Sequence, residues 1–173
     1  MLILRLRVFV CVLSAVGAEL CARVEAAAAK AIAAHGHFAL AIPGGSILKM
    51  LQNSAPKWAD KCTLAYVNHK AVPMDDAALA THAKASALFL DNWAGVNAIV
   101  MDGTGDAKAE AVSYEAQLKE LPEDTLPRDA SGMPVFDLML IGVGDDGCVA
   151  VYPLGVWTHC APASFSLSLA LCP

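Results

Sequence analysis

Two kinds of apolar run alternate along the chain. Leu4–Leu13, Phe38–Ile42, Lys61–Val67, Val96–Met101 and Val135–Ile141 are short and nearly unbroken, the pattern of strands buried on both faces. Between them lie segments whose apolar residues recur at helical spacing. Glu19–Ala34 carries Leu20, Val24 and Ile32, opens near Ser14–Glu19 and stops at His35-Gly36, a good helix end. Ser46–Gln52, Ala77–Leu90 and Ala107–Leu121 are the other helices, the last with Val112, Glu115 and Leu118 in register. Pro122–Pro134 reads as a polar loop. Strands separated by helices predict an α/β fold, a doubly wound, mostly parallel sheet with helices on both faces. Ligands bind such sheets at the carboxyl ends of strands, near a topological switch point. Three loops occupy that position: Pro43–Ser46, Asn68–Pro73 and Gly142–Cys148.

Composition narrows the class. A chain of 173 residues suits one domain, and 57% apolar against 17% charged residues excludes intrinsic disorder. The net charge is −5 without a basic stripe, so neither nucleic acid nor an anionic membrane is an expected partner. Charge is uneven, however. Residues 147–173 hold no Asp, Glu, Lys or Arg, yet contain Cys148, Cys160 and Cys172. Pro153, Pro162 and Pro173 interrupt that tail, which argues against a membrane anchor. At the other end, Arg5 and Arg7 precede the apolar run Val8–Ala18, and Ala15-Val16-Gly17-Ala18 is similar to a signal-cleavage site. A buried first strand is preferred to a secretory signal there, because the following helix has no other strand partner. The apolar run is also too short to span a bilayer. No C-x-x-C occurs, and Cys11, Cys21 and Cys62 sit in apolar elements, where a thiol packs as a small hydrophobe. A reducing, cytoplasmic setting follows, with a plastid as the other option.

The loops differ in what they offer. Gly142-Val143-Gly144-Asp145-Asp146-Gly147 matches G-x-G-x-x-G, but no acidic residue follows and the strand before it is the last of the series. A dinucleotide site needs the opposite. Pro43-Gly44-Gly45-Ser46 reads as a strand-to-helix turn with Ser46 as its cap, or as a cradle of backbone N–H groups and a hydroxyl for an anion. Lys70 is a solvated loop lysine or a phosphate partner. His35 and His37 read as surface residues, and His82 as a mid-helix residue, solvated or capped by a neighbour. No spacing favours a Ser-His-Asp triad or a metal site.

Taken together, the three loops resemble the 6-phosphogluconolactonase family, relatives of the glucosamine-6-phosphate isomerases and deaminases. His37-Phe38-Ala39-Leu40-Ala41-Ile42-Pro43-Gly44-Gly45-Ser46 stands where the family has a strand ending S-G-G-S. Val67-Asn68-His69-Lys70-Ala71-Val72-Pro73 resembles a strand ending D-E-R-x-V-P. Phe136-Asp137-Leu138-Met139-Leu140-Ile141-Gly142-Val143-Gly144-Asp145-Asp146-Gly147-Cys148 resembles F-D-L-x-L-L-G-x-G-x-D-G-H, and Tyr114-Glu115 with Leu118 the helix before it. The resemblance covers about residues 8–153 and implies hydrolysis of 6-phosphogluconolactone to 6-phosphogluconate, in the oxidative pentose phosphate pathway, without a metal or organic cofactor. It implies that Gly44, Gly45, Ser46 and Lys70 hold the substrate phosphate. Gly142, Gly144, Asp145 and Gly147 would form the glycine loop, with Asp146 and Cys148 at the catalytic positions.

Five positions depart from it. Cys148 stands at the family's histidine, and a thiol of ordinary pKa near 8.5 is a poorer base than an imidazole near 6.5. Asn68 and His69 replace two acidic residues, Pro43 replaces a serine, and Lys70 replaces an arginine. Alternative readings are therefore a catalytically inactive phosphosugar-binding relative, or a glucosamine-6-phosphate deaminase. The family also continues well beyond its third motif. The expectation is thus a partial family domain over residues 1–153, incomplete at its C-terminal end, and an atypical apolar tail over 154–173. The resemblance implies a small phosphosugar as partner; a monomer is expected, and a sheet left uncovered on one side predicts marginal stability.

Overall fold

The computed structural model describes residues 13–142. Helix α1 spans Leu13–His35, followed by strand β1, Phe38–Ile42, and helix α2, Ser46–Met50. Strand β2, Cys62–Tyr66, leads to helix α3, Thr81–Leu88. Strand β3, Asn97–Ala98, helix α4, Ala107–Glu120, and strand β4, Leu138–Met139, complete the order. The expected strand Leu4–Leu13 lies outside the described residues apart from Leu13, which opens α1.

All strand pairs are parallel, in the order β3-β2-β1-β4. Phe38 faces Cys62 in register and Ile42 faces Tyr66, and every residue of β1 and β2 is buried. Burial on both faces is why these two strands read as continuous apolar runs. One face packs Phe38, Leu40, Ile42 and Leu64 with Val24, Ala28 and Ala31 of α1, Leu48 of α2 and Ala85 of α3. The other packs the small Ala39 and Ala65 with Ile99, Met101, Leu126 and the α4 residues Tyr114 and Leu118. Helices therefore cover both faces, as expected. Helix α1 stops where Gly36 takes φ +85 and its N–H donates to the Ile32 carbonyl at 2.9 Å, an end that only a glycine forms without strain.

Several boundaries differ from the expectation. Strand β3 covers two residues instead of Val96–Met101. The Ile99 N–H still bonds the Leu64 carbonyl at 2.8 Å. Beyond that point the Tyr66 N–H donates to the Tyr114 hydroxyl at 2.7 Å, so α4 supplies the partner that β3 would have supplied. Strand β4 is likewise cut to Leu138–Met139 within Val135–Ile141, although the Asp137 and Leu140 N–H groups bond the Ala39 and Ala41 carbonyls on either side. Helix α3 begins at Thr81, not Ala77, because the Asp76 carboxylate accepts the Ala78 and Leu79 N–H groups, both at 2.8 Å, and holds a separate turn. Pro122–Pro134 is more than a polar loop. Leu126 is fully buried, and Arg128 donates to the Leu118, Lys119 and Leu121 carbonyls at the end of α4.

Candidate functional site

The strand order places a topological switch between β1 and β4, since the chain runs outward from β1 through β2 to β3 and then returns to the other side of β1. A crevice at the carboxyl ends of β1 and β4 is the place where such sheets bind ligands. The loop after β1 lies there, and the loop after β2 lies beside it. The two are joined directly, because the Gly44 N–H donates to Asn68 Oδ1 at 3.2 Å.

Pro43 is buried, Gly44 half-buried, and Gly45 and Ser46 are exposed. Gly45 takes φ +82, ψ −144 and is the residue before α2; a side chain there is strained regardless of space. Ser46 is the first residue of α2 and not its cap, and Gly45 supplies no side-chain cap either. With five residues, α2 contributes little dipole. A Cβ on Gly44 would stand 3.3 Å from Thr81 Oγ1, so the first turn of α3 closes over this loop.

His69 of the loop after β2 forms a ring cluster with Tyr66 of β2 and His82 of α3, which the pattern along the chain does not announce. His69 is 4% exposed, Lys70 is exposed. His69 Nδ1 donates to the Lys70 carbonyl at 2.6 Å, and His69 Nε2 accepts the His82 N–H at 3.4 Å. The Tyr66 hydroxyl and His82 Nδ1 are 2.8 Å apart. The Tyr66 ring packs edge-on against both imidazoles, with 5.8 Å between centroids in each pair. Burial, with His69 adding to it, lowers the His82 pKa, and Asp91 opposes the shift. Burial also raises the Tyr66 pKa, helped by Tyr114. His82 is thus the second residue of α3 and not mid-helix, half-buried, and of the two readings, solvated or bonded to a neighbour, the second holds. The available signal was Tyr66 at the end of β2, with His69 and His82 after it.

His35 is exposed, as expected of a surface residue, and His37 is half-buried; each has its own partner. His35 Nε2 pairs with Asp137 Oδ1 at 2.9 Å, and His37 Nε2 lies 2.9 Å from Thr63 Oγ1. Burial first, then His35, lowers the His37 pKa, against weaker opposition from Asp124 and Asp137. Cys21 and Cys62 are free thiols. Burial pushes the Cys62 thiol up to about 12, which suits a packing residue. Gly142 is exposed beyond β4. Gly144, Asp145, Asp146, Gly147 and Cys148 lie outside the described residues. The structure therefore joins Gly44 to the Asn68–Lys70 loop and places Ser46 beside it. The two joined loops carry backbone N–H groups, the Ser46 hydroxyl and the Lys70 side chain, a set suited to an anion.

The family model described as glucosamine-6-phosphate isomerases/6-phosphogluconolactonase matches residues 13–153. The chain belongs to this family. Among curated relatives of the glucosamine-6-phosphate isomerase/6-phosphogluconolactonase family, "Probable 6-phosphogluconolactonase 3, chloroplastic" of Oryza sativa subsp. indica is 31% identical over 131 residues, covering 70% of this chain and 40% of that protein. "Probable 6-phosphogluconolactonase 4" of Arabidopsis thaliana is 32% identical over 129 residues, covering 66% of this chain and 49% of that protein. The chain thus spans between two fifths and one half of the length of these relatives. Solved structures share the fold. The 6-phosphogluconolactonase of Trypanosoma brucei superposes with a TM-score of 0.67 at 20% identity, covering 83% of this chain and 61% of that one. That of Shewanella baltica gives 0.61 at 20%, covering 79% and 55%. No helix among the described residues of this family member is long and apolar enough to cross a membrane.

Proposed function

We propose that this chain takes 6-phospho-D-glucono-1,5-lactone and hydrolyses it to 6-phosphogluconate. The reading is carried by one observation: in a member of this family, the Gly44–Asn68 hydrogen bond joins two loops at the switch point of the sheet. The phosphate is held by Ser46, the backbone around Gly45 and the Lys70 cation, a point charge in place of a fork. The Gly44 N–H already serves Asn68, so its part is to fix the loop. Water adds to the lactone carbonyl, the ring C–O bond breaks, and the ring oxygen leaves with a proton. Cys148 takes the proton-transfer position, with Asp146 in the same glycine loop as Gly142, Gly144, Asp145 and Gly147. The reaction draws on no metal or organic cofactor, and the protein works as a monomer in a reducing compartment, cytoplasm or plastid. Free thiols at Cys21 and Cys62 and a rice relative named chloroplastic support that setting.

The test is lactone opening by the purified full chain, followed as acid release above the spontaneous rate. The chain is expected to accelerate opening, and Cys148→His to raise the rate about tenfold or more, in line with general-base contributions. Acceleration by Cys148→His alone would establish the second reading, a phosphosugar-binding relative without activity, which the thiol at that position favours. Acceleration by neither protein, or ammonia release from glucosamine 6-phosphate, overturns the lactonase assignment.

A further inference from the structure

We propose that His69 is a positioning residue whose neutral ring ties the Asn68–Lys70 loop to the first turn of α3, so that its protonation releases the ligand-binding crevice. The proposal rests on the phosphosugar reading for its ligand, and on hydrogen-bond geometry for its mechanism.

The partners fix the tautomer. A carbonyl only accepts, so Nδ1, 2.6 Å from the Lys70 carbonyl, carries the ring proton. A backbone N–H only donates, so Nε2, which meets the His82 N–H at 3.4 Å, presents its lone pair. In this arrangement the ring uses one donor and one acceptor. A second proton at Nε2 would set N–H against N–H, and the tie to α3 would be lost. That tie matters at the crevice from two directions. Thr81, next to His82, packs on Gly44. Asn68, next to His69, accepts the Gly44 N–H. Freeing α3 therefore loosens both supports of the loop that holds Gly45 and Ser46.

The groups around His69 do not offer the imidazolium a counterion. Tyr66 of β2 faces it edge-on and is kept protonated by burial. Lys70 of its own loop is a cation, and burial, then His69, lower the pKa of His82 on α3. Asp91, after α3, acts on His82. Among the described residues no carboxylate is hydrogen-bonded to His69.

The experiment uses the full chain, its His69→Gln variant and, as probe, 6-phosphogluconate. Glutamine keeps one donor and one acceptor and does not titrate. Affinity is measured at about pH 7.5 and about pH 5.5, a span in which histidines as a class change charge. The unmodified chain is expected to lose about tenfold more affinity than His69→Gln; protonation of the ligand's own phosphate is common to both and cancels. A second readout needs neither ligand nor variant: the His82 backbone amide resonance should follow the titration of the His69 ring. Parallel affinity profiles, or a His82 amide indifferent to the His69 ring, overturn the proposal. A His82 amide that follows the ring in a chain that binds no 6-phosphogluconate at either pH supports the tie and overturns the phosphosugar reading.

Discussion

Glu110 is 1% exposed and still ionised. Burial alone would raise its pKa, but the Thr104 hydroxyl and N–H and the Asp102 N–H all donate to it, at 2.6, 2.5 and 2.9 Å, and hold the carboxyl below its ordinary range. The side chain thereby organises the turn Asp102-Gly103-Thr104-Gly105 ahead of α4. A folded pKa below the unfolded one means that its stabilisation is present above the unfolded value and disappears as the pH falls through the folded value. Glu110→Gln should cost about 2 kcal/mol near neutrality, as expected for hydrogen bonds to a charged acceptor. The difference from the unmodified chain should shrink as the pH drops below about 4.5. Urea unfolding of both proteins across that interval measures it, and a difference constant with pH would contradict the assignment.

At the scale of elements, the join between β1 and α2 decides the shape of the crevice. Gly45 lies in the left-handed half of backbone space, and no neighbour stands within 4 Å of where its Cβ would be. Strain rather than collision is therefore the cost of a side chain. Gly45→Ala should destabilise the chain by about 1–3 kcal/mol, lowering the thermal midpoint, and should weaken 6-phosphogluconate binding because the loop must relax. Unchanged stability and binding would show that the loop does not need this conformation. The β2–α4 junction follows a different logic, since the Tyr114 hydroxyl completes the hydrogen bonding of a strand whose neighbour has diverged. Helix α4 is thus part of the sheet's polar accounting as well as its apolar cover.

At the scale of the whole molecule, Asp137 joins three elements. Its carboxylate accepts the Ala39 N–H of β1 at 2.8 Å and pairs with His35 at the end of α1 at 2.9 Å, while its own N–H bonds the Ala39 carbonyl. It lies at the amino end of β4, opposite the crevice. Asp137→Ala should cost about 2 kcal/mol, and His35→Ala less, because the bond to Ala39 survives. Denaturant midpoints rank the two. Asp137→Ala should nevertheless leave 6-phosphogluconate affinity within about twofold at a temperature where the variant is folded; a larger loss would place Asp137 in the ligand site and not in the frame.

By itself the amino-acid sequence determined the class of fold, the limits of β1 at Phe38 and Ile42, and the turns that follow β1 and β2. These are properties of local order: apolar runs, helical spacing and glycines at turns act between near neighbours in the chain. Only the tertiary structure decided where β3 stops, and that His69 and His82 belong together beside Gly44. Each of those is settled by a donor or acceptor arriving from another element, the Tyr114 hydroxyl for Tyr66 or the His69 ring for the His82 N–H. A buried polar group must find a partner wherever the fold supplies one, and no pattern along the chain records which distant residue that is.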